Sequence, residues 1–92
     1  MYKVQFRKKA RKFIDGLPKK HRRQVNDYIL DLCDNPKPQD SKELTGYKPY
    51  LRGDVGEYRI IYKYETHSKL ITVAVIGKRN GGEVYKKMGR IL

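Results

Sequence analysis

The sequence predicts one α+β domain, with an N-terminal strand and an αα-hairpin packed on a mainly antiparallel sheet and a short C-terminal helix. Three observations carry that class. Apolar residues recur at helical spacing between positions 10 and 33 and again from 84 onward. Between positions 57 and 78 they alternate or run continuously, as strands do. The 92 residues with 38% apolar content suffice for one modest core, so residues 1–92 read as a single domain without repeat or linker.

Each element follows from its local pattern. Tyr2–Phe6 alternates and predicts a short half-buried strand. Ala10, Phe13, Ile14 and Leu17 form one apolar stripe on a helix otherwise lined with Lys and Arg. Gly16 and Pro18 interrupt it, and Pro18 is suited to open the next helix. Val25, Tyr28, Ile29, Leu32 and Cys33 continue the helical period until Asn35-Pro36-Lys37-Pro38 stops it. Tyr50–Arg52 predicts a short strand and Gly53–Gly56 a turn. Glu57–Glu65 alternates, with Tyr58, Ile60, Tyr62 and Tyr64 on one face and Arg59, Ile61 and Lys63 on the other. After Thr66-His67-Ser68, Lys69–Lys78 is apolar on both faces and belongs inside the sheet. Past Asn80-Gly81-Gly82, Val84, Met88, Ile91 and Leu92 predict a helix over 83–92.

The composition excludes several kinds of protein. Lys+Arg number 22 against 10 Asp+Glu, a formal charge of +12, and the mean hydropathy is −0.85. No apolar run approaches the ~20 residues of a membrane-spanning helix, and the N-terminus does not resemble a signal peptide. Cys33 is the one cysteine, which fits a reducing cytoplasm. With only His21 and His67 beside it, neither a metal site nor a nucleophilic triad is expected, and no cofactor is called for. Residues 1–23 hold ten Lys/Arg and one acid, whereas residues 24–56 lean acidic. A small domain with this excess repels itself unless an anionic partner offsets the field, and nucleic acid or an acidic protein is the natural choice.

Three arginines lie where neighbouring strands would bring them together: Arg52 on the short strand, Arg59 on the alternating strand and Arg79 where the apolar strand ends. Tyr85 follows one helical turn later. Guanidinium groups clamp phosphate and a tyrosine stacks on a base. Read from the residues alone, Arg59 as a sheet-surface cation and Arg79 as a strand-end charge near an acidic neighbour is the favoured reading.

The stretch Tyr50-Leu51-Arg52-Gly53-Asp54-Val55-Gly56-Glu57-Tyr58-Arg59-Ile60-Ile61-Tyr62 resembles a signature of the RelE/ParE superfamily of toxins. Ile76-Gly77-Lys78-Arg79-Asn80 with Glu83-Val84-Tyr85 is similar to its second signature, and the αα-hairpin extends the likeness over essentially the whole chain. RelE-like members keep strand arginines and a late tyrosine and cut messenger RNA in the ribosomal A site; ParE-like members typically lack that set and inhibit DNA gyrase. Arg59, Arg79 and Tyr85 match the RelE-like pattern. Where that branch often presents two lysines two residues apart, this chain has Tyr50 and Arg52, with Lys48 the nearest substitute.

The resemblance implies the toxin of a type II toxin–antitoxin system, an endoribonuclease in which a 2′-OH attacks the adjacent phosphate. Arg59, Arg79, Tyr85 and Arg52 are the implied catalytic set. Lys48, Lys78 and the cluster Lys8, Lys9, Arg11 and Lys12 are the expected RNA contacts. Implied partners are a RelB-like antitoxin, the ribosome with its mRNA, and operator DNA only through the antitoxin complex. An extended acidic antitoxin would suit a cationic groove and exposed apolar helix faces. The alternative is a non-enzymatic gyrase inhibitor of ParE type.

Overall fold

The computed structural model describes residues 1–91. The chain runs β1 (Lys3–Phe6), α1 (Lys8–Asp15), α2 (Lys19–Asp34), β2 (Lys42–Glu43), β3 (Leu51–Val55), β4 (Tyr58–Glu65) and β5 (Leu70–Lys78). A 3-10 turn (Asn80–Gly82) then leads into α3 (Glu83–Ile91). The strands form one sheet in the order β1-β5-β4-β3-β2. β1 lies parallel to β5 and every other pair is antiparallel.

Each face of the sheet has its own core. On one, Ala10 and Ile14 of α1 and Val25, Ile29 and Leu32 of α2 pack with Ile60, Tyr62, Ile71, Val73 and Ile76. The Tyr62 hydroxyl donates to the Pro36 carbonyl at 2.7 Å, which gives this buried phenol its partner. On the other face Val84 and Met88 of α3 cover Ile61, Ala74 and Val75, joined by Leu44 and Tyr50. A register shift between Ile61 and Tyr62 pairs Ile61 with Val75 and Tyr62 with Val73. The extra residue is Ala74, and like Val75 it belongs to the α3-side core.

Several expectations need correction. Gly53, Asp54 and Val55 are strand, and the turn is Gly56-Glu57. Leu51, Gly53 and Val55 alternate buried with half-buried Arg52 and Asp54, and this period-2 burial wins over the turn-like composition. The strand thus carries Arg52 and Asp54 together. Tyr50 is core, 5% exposed, with the Lys63 ammonium 5.5 Å from its ring centre. β2 has two exposed polar residues and left no apolar signal. The parallel β1–β5 pair joins residues nearly seventy positions apart, which local spacing cannot show. The apolar faces of the helices are covered, and among the described residues the large exposed apolar side chains are Met1 and Leu30. Leu92, expected to end the last helix, lies outside the described residues.

Candidate active site

The arginines come together because of strand register. β3 and β4 pair with Asp54 opposite Arg59 and Arg52 opposite Ile61, while β4 and β5 pair with Arg59 opposite Gly77. Alternation then turns Arg52, Asp54 and Arg59 toward the face that α3 covers. At Gly77 a side chain would meet Val84 of α3, since a β-carbon there lies 3.0 Å from its Cγ1. Its absence lets α3 come down beside Arg59. α3 is held there by Lys87, which donates to the Ile76 carbonyl at 3.2 Å and lies 4.6 Å from the Phe13 ring centre, while its ion pair with Glu83 at 3.3 Å stays within α3.

At the centre of the cluster is a carboxylate. Arg59 Nε donates to Asp54 Oδ1 at 2.8 Å and Nη2 reaches Oδ2 at 3.4 Å. Arg79 Nε lies 3.7 Å from the same Oδ2. Arg79 also closes onto the β3–β4 turn, its backbone N–H donating to the Glu57 carbonyl at 3.0 Å and its Nη1 to that of Gly56 at 3.4 Å. Arg52 Nη1 donates to the Tyr85 hydroxyl at 3.0 Å, tying β3 to α3. Arg59 is more enclosed than Asp54 or Arg79, its side chain 15% exposed against 37% and 50%. The hydrogen bond from Arg59 foremost, then the nearby arginine charges, hold the Asp54 carboxyl below the usual carboxylate range against the opposing effect of burial. Reciprocally, the Asp54 bond raises the Arg59 guanidinium, with Tyr85 adding a smaller push in the same direction.

Arg52, Arg59, Arg79 and Tyr85 therefore share one cluster, while the other residues singled out from sequence lie elsewhere. Lys78 is exposed at the end of β5. Lys48 lines a separate cleft of about 390 Å³ with Glu43, Tyr50 and Tyr64. On α1, Lys8 and Lys12 are exposed and Arg11 pairs with Asp15 at 3.7 Å. Lys9 borders a cleft of about 240 Å³ with Ala10, Val75, Lys87 and Arg90. A further cleft, about 610 Å³, is at the opposite end of the sheet, lined by Arg7, Lys63, Leu70 and Thr72 among others. The cluster faces solvent at Arg79 and Asp54.

The sequence reading missed two residues. Asp54 was available: a two-residue turn at Gly56-Glu57 puts position 54 opposite 59, and placing the turn over 53–56 hid it. His21, given no role, has its Nδ1 2.6 Å from the Tyr58 hydroxyl and its Nε2 3.8 Å from Glu57. It steadies the start of β4 from α2. No spacing in the sequence announces that contact. Among the described residues no group of three or more His, Cys, Asp or Glu is placed to hold a metal ion, and no helix is long and apolar enough to cross a membrane.

Comparison with known proteins places the chain in a family. Residues 3–81 match the family described as ParE toxin of type II toxin-antitoxin system, parDE. An Escherichia coli RelE-like toxin protein is 33% identical over 88 residues, covering 91% of this chain and 90% of that protein. The RelE–RelB complex of Pyrococcus horikoshii superposes with a TM-score of 0.75 at 28% identity, over 86% of this chain and 96% of that one. The isolated E. coli RelE toxin, at 24% identity, shares the fold over 100% of both chains with a TM-score of 0.76. The chain belongs to the RelE/ParE family and is a toxin of the type II toxin–antitoxin kind.

Proposed function

We propose that this toxin is a ribosome-dependent endoribonuclease that cuts mRNA in the A site, with Arg59, Arg79 and Arg52 neutralising the reacting phosphate and Tyr85 holding the nucleotide. The observation that carries the reading is the cluster itself: three guanidinium groups and one phenol, from β3, β4, the residue after β5 and α3, meet at one end of the sheet. A 2′-oxygen forms its bond to phosphorus as the bond to the 5′-oxygen breaks. One proton leaves the 2′-OH and one reaches the 5′-oxygen, both through water. The negative charge that builds on the phosphoryl oxygens is what arginines offset. Arginine is a poor proton donor because its pKa exceeds ~12, so its part is charge and position. Tyr85, fixed through Arg52, offers its ring to a splayed base.

The solvent-facing side of the cluster, at Arg79 and Asp54, favours dependence on the ribosome, which would align the message there. Lys48, Lys78 and the α1 cations Lys8, Lys9, Arg11 and Lys12 then serve as contacts to RNA backbone, outside the reacting cluster. The RelB–RelE complexes among the similar structures, together with the charge of +12, support a RelB-like acidic antitoxin as the resident partner.

Translation of a defined message with purified toxin, its 5′ ends mapped by primer extension, tests the reading. Cuts within codons that require ribosomes are expected. The match to ParE toxins favours one rival, a non-enzymatic gyrase inhibitor. Intact message beside inhibited DNA supercoiling would support that rival.

A further inference from the structure

We propose that Asp54 is a resident anion in the arginine cluster, seated where a phosphodiester binds and displaced when RNA arrives. The inference rests on the reading of the cluster as an RNA site. Its geometric basis is the edge of Arg59 that Asp54 takes. A guanidinium binds a carboxylate or a phosphate side-on through the same paired N–H groups. On Arg59 the Nε–Nη2 edge already faces the two oxygens of Asp54, and Arg79 turns its Nε to one of them. A phosphate approaching either group meets a site holding a carboxylate.

Mobility falls on the carboxylate side of the pair. Arg59 is more enclosed than Asp54, and Arg79 is tied to the β3–β4 turn at two points. Asp54 has a short side chain next to solvent. Exchange therefore moves the aspartate, and the guanidinium groups stay aimed. The cluster Arg52, Arg59, Arg79 and Asp54 carries three positive charges and one negative. The aspartate offsets part of the repulsion among the arginines in the free toxin, and it lowers the affinity of the empty site for any loose polyanion. RNA presented firmly, in the right geometry, overcomes that competition; RNA met by chance does so less readily.

The test is binding of a short fluorescent single-stranded RNA, 2′-O-methylated against cleavage, by the whole toxin without ribosomes. Asp54→Asn keeps one oxygen to accept from Arg59 Nε while removing the charge. It is expected to bind about fivefold more tightly than wild type at low salt, the size of one modest ion-pair competition. The plot of log affinity against log salt should steepen by about 0.7, because arginine charge once matched inside the protein is now matched by RNA. A merely structural role for Asp54 predicts the reverse, weaker binding and a shallower plot, and that result or unchanged binding would overturn the proposal.

Should Asp54→Asn fail to fold, wild-type toxin titrated with inorganic phosphate supplies the answer by NMR. The Asp54 carboxyl carbon is expected to shift toward an unpaired position as the Arg59 Nε–H signal moves; an unmoved Asp54 signal contradicts exchange. Arg59→Gln in the RNA assay separates the two levels of inference. Unweakened binding by that variant sinks the reading of the cluster as an RNA site, whereas weakened binding by Arg59→Gln without tightening by Asp54→Asn sinks the exchange alone.

Discussion

The Asp54 carboxyl is held below the usual carboxylate range chiefly by its hydrogen bond from Arg59, and a depressed folded pKa fixes the sign of its pH effect. Its contribution to stability is present above the unfolded value of about 3.9 and is lost as pH falls through the folded value. Urea midpoints from pH 7 down to 2.5 should fall steeply below about pH 4 in wild type and less steeply in Asp54→Asn. At the alkaline end Tyr28 acts. Burial, aided by the charges of Asp40 and Asp54, pushes its phenol up to about 12, and its buried hydroxyl has no hydrogen-bond partner among the described residues. A raised folded value means its contribution is intact below the ordinary value near 10 and is lost as pH climbs toward 12. Tyr28→Phe, which removes an unsatisfied group, should blunt that loss in urea midpoints between pH 8 and 12 without lowering neutral stability. Tyr62→Phe differs: it strands the Pro36 carbonyl and should cost about 1–2 kcal/mol in the same assay.

Strand β3 is the element on which the cluster depends, since it carries Arg52 and Asp54 while its other face sits under α2. A β-carbon at Gly53 would fall on the Tyr28 hydroxyl and ring. Gly53→Ala should therefore lower stability by about 1–3 kcal/mol, as overpacking does, and displace the Asp54–Arg59 pair with it. Chemical denaturation checks the first effect and loss of the Arg59 Nε–H signal the second. How much of this was legible depends on range. The helices, β4 and β5 announced themselves through long apolar periods, and Arg59, Arg79 and Tyr85 through their motifs. β3 was half hidden because Gly and Asp mimic a turn, although here Gly53 meets the Tyr28 ring and Asp54 meets an arginine. β2 has too few apolar residues to read. The Lys87 bond to the Ile76 carbonyl and the His21 contact with Tyr58 are tertiary accidents of packing that no local pattern encodes.

At the scale of the molecule, the core is spent on both faces of a small sheet, and the arginine cluster is left at one end of it. Under the proposed function the surface of a +12 domain guides it to a polyanion, and association should slow and weaken as salt rises. The proposed catalysis rests on what the cluster does once docked. The most direct measurement is single-turnover cleavage of an mRNA programmed in the ribosomal A site, comparing wild type with Arg59→Gln, Arg79→Ala and Tyr85→Phe at saturating toxin. Loss of one charge-offsetting group should slow cleavage by about 10²–10³-fold in each arginine variant with ribosome binding retained, while Tyr85→Phe, which keeps the ring, stays within about tenfold of wild type. Arginine variants that cut at the wild-type rate, or a wild-type toxin that leaves the programmed message whole, would contradict the account.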